Sequence, residues 1–102
     1  MHASIESKRV EIVALCERLG VVRLDVFGSA TTDAFDEVLS DADFVVEFMD
    51  GPAFDRFDVY FSLREGLADM LGRPVDLVTR LSVKNPYFRE RMEQTQELVY
   101  AA

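Results

Sequence analysis

Apolar positions at the start of the chain recur at helical spacing. Over residues 4–19, Ile5, Ile12, Cys16 and Leu19 share one face, with Ser4 placed as an N-cap and Gly20 as a stop. The pattern then changes to a short apolar run, Val22 to Phe27, which predicts a strand ending at Gly28-Ser29. Residues 30–40 read as a short helical turn and loop. A second strand is expected at 42–48, rich in β-branched and aromatic residues and stopped by Asp50-Gly51-Pro52. The helical period returns over 54–71, where Phe57, Tyr60, Phe61, Leu63, Leu67 and Met70 make a broad apolar face and Gly72 ends it. Residues 74–79 predict a third strand. Asn85-Pro86 opens a last helix, with Asn85 as N-cap and Pro86 in the first helical position, running to about Thr95. Leu98-Val99-Tyr100 fits either a closing strand or a frayed helical turn.

The order helix, strand, turn, strand, helix, strand, helix predicts an α+β fold: a small mixed β-sheet with helices packed mainly on one face. Residues 1–102 form one domain, since a chain of 102 residues that is 49% hydrophobic has material for a single modest core. No apolar run approaches the roughly 20 residues that a membrane span needs. Lone Cys16 excludes an internal disulfide and fits a reducing cytoplasm. The net charge of -8 argues against gripping an extended nucleic-acid backbone. It suits a basic protein partner, or a nucleotide carried in with its metal ions.

Charge-bearing residues inside the predicted strands carry the chemistry. A strand ending in the small turn Gly28-Ser29 can offer backbone N–H groups to a phosphate. In Ser40-Asp41-Ala42-Asp43, the two carboxylates stand at i and i+2, so they project to one face and can hold a divalent cation. A third, Asp76, interrupts the apolar run Val75-Asp76-Leu77-Val78, where an ionised carboxylate needs a reason to be. If the third strand lies beside the second, Asp76 completes a metal-binding triad and can accept the proton of an attacking hydroxyl. Taken singly these signals are weak: with 19 acidic residues, about one Asp-x-Asp arises by chance, and Gly-Ser is commonly a plain turn. Their order along one chain has a single shared use, nucleotidyl transfer.

The same residues carry a resemblance. Val26-Phe27-Gly28-Ser29 with Ser40-Asp41-Ala42-Asp43-Phe44 resembles the minimal nucleotidyltransferase (MNT) branch of the DNA polymerase beta-like superfamily. Gly72-Arg73-Pro74-Val75-Asp76-Leu77-Val78-Thr79 is similar to its third-carboxylate strand, and Asn85-Pro86-Tyr87-Phe88 and Tyr100-Ala101-Ala102 are typical of one bacterial subgroup. The resemblance implies a palm-like mixed sheet and Mg2+-dependent transfer of a nucleoside monophosphate, with release of pyrophosphate. Many members are antitoxins beside a HEPN-domain ribonuclease toxin, and some resemble AMP-transferases that modify that toxin. By position, Gly28 and Ser29 would hold the triphosphate of ATP, and Asp41, Asp43 and Asp76 would be the catalytic, metal-binding carboxylates. The chain departs from the pattern after Ser29: many active relatives have arginine there, and this chain has Ala30-Thr31-Thr32-Asp33. Arg23, Arg73 and Arg80 are the candidate substitutes for that cation.

The leading expectation is an adenylyltransferase acting on a partner protein within a toxin–antitoxin pair. Its main rival is a binding module with a degenerate site that neutralises by occlusion; a third reading is transfer to a small molecule such as an aminoglycoside. Of the remaining residues, His2 reads as a terminal residue without a role and Cys16 as core. The rings of Phe54, Phe57, Tyr60 and Phe61 read as helical core with a possible share in a partner surface or an oligomer contact. Arg89, Glu90, Arg91 and Glu93 read as a solvated helix face.

Overall fold

The computed structural model describes residues 3–28, 42–48 and 55–102. Its elements are α1 (Ala3–Glu6), α2 (Arg9–Leu19), β1 (Val21–Phe27), β2 (Ala42–Phe48), α3 (Asp55–Leu71), β3 (Val75–Thr79), a 3-10 turn (Arg80–Ser82), α4 (Pro86–Thr95) and β4 (Glu97–Ala101). The four strands form one sheet in the order β3-β2-β1-β4. β1 pairs antiparallel with both β2 and β4, whereas β2 and β3 are parallel, with α3 between them in sequence. The mixed sheet of the sequence reading is therefore present, and β4 settles the alternative left at residues 98–100 in favour of a strand.

Alternation along the strands divides the sheet into two faces. Leu24 and Val26 of β1, Phe44 and Val46 of β2, and Val75 and Leu77 of β3 meet Ile5, Ile12, Leu15, Cys16, Leu63 and Leu67 from α1, α2 and α3 in the main core. Removing a side chain such as Phe44 or Leu63 from water contributes about 1.5–3 kcal/mol. The opposite face carries a smaller cluster, Phe27 and Val45 with Val83 and Met92, covered by α4. Of the described helices, three thus sit on one face and one on the other. β2 is buried on both faces at Phe44, Val45 and Val46, which is why its middle, between Asp43 and Glu47, is apolar without alternation.

Two sequence expectations change. The first helix is not continuous over 4–19: it breaks at Ser7 and Lys8, where the Ser7 hydroxyl donates to the Ser4 carbonyl at 3.1 Å and competes with the helical ladder. The break lets Ile5 enter the core while Val10 stays 84% exposed. The apolar face of α3 is also narrower than its composition suggests. Leu63 and Leu67 are fully buried, but Phe57 and Phe61 face outward at 74% and 47% exposure, because the sheet edge is too small to cover so wide a stripe. The helix stops predicted at Gly20 and Gly72 hold: Gly20 has φ 71° and its N–H reaches the carbonyls of Cys16 and Glu17, and Gly72 has φ 65°. The strand stop expected at Asp50-Gly51-Pro52 lies outside the described residues. At α4 the Asn85 side chain accepts from the N–H groups of Tyr87 and Phe88, at 2.9 and 3.1 Å.

Candidate active site

Strand register brings the carboxylates together. Phe27, the last residue of β1, pairs with Asp43, and Asp43 pairs in turn with Asp76 across the parallel β2/β3 ladder. Neighbouring strands lie about 4.8 Å apart, so two acidic side chains share one face at one level of the sheet. Asp43 is half-buried; Asp76, on the edge strand, is exposed. Both border a cavity of about 330 Å³ together with Phe27, Tyr60, Arg64 and Phe88.

Gly28 follows β1 with φ 73°, a left-handed conformation that favours glycine. A Cβ at this position would stand 3.0 Å from Asp43 Oδ2, so the absence of a side chain leaves the space beside that carboxylate open. The Gly28 N–H donates to Thr95 Oγ1 at 3.0 Å, and the Thr95 hydroxyl also lies 3.0 Å from the Arg91 carbonyl, so the end of α4 fixes the turn. At the other end of α4, Phe88 meets Phe27 edge-to-face, with centroids 5.9 Å apart. On the β3 side, the Tyr60 hydroxyl donates to the Leu77 carbonyl and pins α3 to the sheet edge.

Of the residues expected from sequence, Gly28, Asp43 and Asp76 are therefore brought together; Ser29 and Asp41 lie outside the described residues, as does the expected turn at 30–40. Among the described residues no group of three potential metal-ligating acidic, histidine or cysteine side chains assembles. The two carboxylates present are hard oxygen donors, and the open space at Gly28 lies against one of them. This donor set fits a hard divalent cation.

The candidate substitute cations are placed elsewhere. Arg23 grips the fully buried Asp25 with both prongs, Nε to Oδ1 at 2.7 Å and Nη2 to Oδ2 at 2.9 Å. The Asp25 hydrogen bond foremost holds the Arg23 guanidinium above its usual range. Arg80 lies 2.7 Å from Glu47 Oε1 as an ion pair without hydrogen-bond alignment at its Nε, donates to Gln96 Oε1 at 3.0 Å, and stands 3.9 Å from Asp25. Neither Arg23, Arg73 nor Arg80 lines the cavity. Arg64 does, and sequence reasoning missed it. The signal was the i, i+4 spacing from Tyr60, which sets Arg64 beside a residue of the apolar face.

Comparison with known proteins decides the family. The family described as "Nucleotidyltransferase domain" matches residues 12–98. The chain belongs to that family. Two proteins of Methanocaldococcus jannaschii, MJ0128 and MJ1379, both bearing the name "Putative protein adenylyltransferase", are 37% and 36% identical to this nucleotidyltransferase domain over 86 residues, 84% of this chain and 82% of each relative. Among solved structures, one described as a "putative minimal nucleotidyltransferase" shares 28% identity at a TM-score of 0.67, covering 95% of both chains. A chain from the complex of a tri-AMPylated Shewanella oneidensis HEPN toxin with an MNT antitoxin shares the fold at a TM-score of 0.64 and 18% identity, covering 95% of this chain and 72% of its own. The domain shares the mixed-sheet fold of these solved structures.

Proposed function

We propose that this domain is a Mg2+-dependent adenylyltransferase that moves AMP from ATP to a HEPN-domain toxin in the cytoplasm and so acts as its antitoxin. The observation that carries the reading is the pairing of Asp43 with Asp76 across β2/β3, beside the space that Gly28 leaves open. The names of the M. jannaschii relatives support adenylyl transfer to protein, and the toxin–antitoxin complexes that share the fold support the partner. Asp43, Asp76 and Asp41 would hold the magnesium, which when bound offsets the negative charge of the phosphates.

The residues of the chain have separable tasks. The Gly28 turn and Ser29 would seat the triphosphate tail through backbone N–H groups and a hydroxyl. Asp76, exposed on β3, would take the proton of the acceptor hydroxyl as its oxygen bonds to the α-phosphorus. The bond from that phosphorus to the bridging oxygen breaks, and pyrophosphate leaves with the electron pair. Phe27 and Phe88 wall the cavity and limit water beside the reacting phosphorus.

The test is incubation with Mg2+, ATP labelled at the α-phosphate and a HEPN-domain toxin encoded beside this chain. Label should move to the toxin with the wild-type protein and stay in ATP with Asp43→Ala. Neutralisation by Asp43→Ala equal to wild type, with no label transferred by either, would favour the rival reading, a binding module that acts by occlusion. The ties of Arg23 and Arg80 to Asp25 and Glu47 are the observation behind that rival, since they remove two substitutes for the absent loop cation.

A further inference from the structure

The chain carries 19 acidic against 11 basic residues, so a cation in it readily finds a carboxylate. Arg64 forms no ion pair among the described residues. It stands instead at the wall of the cavity that holds Asp43 and Asp76, and it is the one basic residue among the described residues that line that cavity. Its neighbours on α3 are aromatic: the guanidinium lies over the Phe61 ring, 5.6 Å from the centroid, and Phe61 meets Tyr60 edge-to-face at 5.3 Å. Tyr60 is in turn fastened to the Leu77 carbonyl of β3. The sheet edge, through two rings, thus holds an arginine with open hydrogen-bond donors beside two carboxylates. A cation–π contact guides the guanidinium while leaving its N–H fork free, which is the arrangement an anion receptor needs.

The order of residues across the sheet says which part of an anion it meets. Gly28 follows β1, Asp43 is on β2, Asp76 on β3, and Arg64 on α3, which Tyr60 ties to the Leu77 carbonyl of β3. A polyphosphate seated at Gly28 and crossing the carboxylate pair would present its transferred phosphoryl group, not its tail, toward α3. We propose that Arg64 is a phosphate-binding residue of this site, donating to the non-bridging oxygens of the α-phosphate and supplying from α3 the cation that the loop after Ser29 lacks. This rests on the adenylyltransferase reading above and adds to it a residue on another element.

Binding of nucleotides in the presence of Mg2+ tests it independently of turnover, by calorimetry with a non-hydrolysable ATP analogue, AMP and adenosine. Arg64→Ala should weaken the ATP analogue and AMP by about 10- to 100-fold, the worth of one or two charge-assisted hydrogen bonds, and leave adenosine unchanged. Arg64→Lys should recover part of the loss, because a lysine supplies the charge without the fork. Arg64 is exposed, so unchanged thermal unfolding should accompany both variants. Equal loss for adenosine would make Arg64 a base-stacking residue and overturn the proposal. So would unchanged ATP-analogue affinity, including the case in which only the acceptor KM rises. A wild-type protein that binds neither ATP analogue nor AMP overturns the adenylyltransferase reading itself, whereas binding that Arg64→Ala leaves intact overturns this inference alone.

Discussion

Two groups of carboxylates lie along the same face of the sheet, and their treatment differs. At one end, Asp43 and Asp76 face each other at a cavity, two like charges on adjacent strands. Two residues along β1 from Phe27, Asp25 is wholly buried, held by both prongs of Arg23 and flanked by Arg80, which also neutralises Glu47. The second group is balanced, two cations against two anions, and makes a crosslink between strands β1, β2 and the turn after β3. The first lines a cavity together with Arg64. Buried charges with local partners hold a structure; charges that line a cavity are placed to meet a ligand.

The largest effect that would break this contrast belongs to the open pair. Asp43→Ala should lower adenylyl transfer by at least about a hundredfold while leaving the midpoint of denaturant unfolding near wild type, since loss of a transition-state contact alone reaches that size. Activity retained would mean that the pair is not the reacting centre. Asp25→Ala should do the reverse. Leaving Arg23 and Arg80 without their shared partner should cost about 3 kcal/mol in urea unfolding, at the low end for a buried pair because Arg23 remains 41% exposed to water. Near-wild-type stability would show that the cluster is not a crosslink.

Gly28→Ala tests the hinge between the two groups. A left-handed backbone with a side chain costs about 1–2 kcal/mol, and the added Cβ would press on Asp43 Oδ2, so stability and transfer should fall together. Equal activity in the variant would separate the turn from the carboxylate. Cys16 provides a reference away from both groups: burial pushes its thiol up to about 12 from 9.0. Above its ordinary range the unfolded thiol ionises while the folded one keeps its proton. This contribution to stability is therefore whole below pH 9.0 and is lost as pH rises toward about 12. Labelling by a thiol reagent at neutral pH should accordingly follow global unfolding in a denaturant series. Smallest of all, Asp76→Asn should raise the unfolding free energy by about a few tenths of a kcal/mol, by removing one of two like charges set opposite each other. A fall instead would mean that the pair is stabilised by something other than an incoming ligand.

Much of this was legible in the chain because local rules decided it. Gly20 and Gly72 stop helices wherever they are packed, and Asn85-Pro86 opens α4 by its own chemistry. Strand β2 reads directly as an apolar run because both its faces are covered. The break at Ser7 was hidden, since a serine hydroxyl turning back on the ladder looks like any other polar helix position. So was the exposure of Phe57 and Phe61, which depends on how far the sheet extends beneath α3.

Among the site residues the division is the same. The sequence alone singled out the candidates, Gly28 and the carboxylates Asp43 and Asp76, because a strand end and an acid inside an apolar run are local features. Only the tertiary structure decided which arginine shares a cavity with them. Arg23, Arg73, Arg80 and Arg64 are alike as letters, and two of them are taken by Asp25 and Glu47 through strand register. Arg64 reaches the cavity because Tyr60 ties α3 to β3 and the neighbouring Phe61 ring holds the guanidinium there. Charge pairing acts through space over a few ångströms, and the chain's own order does not carry that distance.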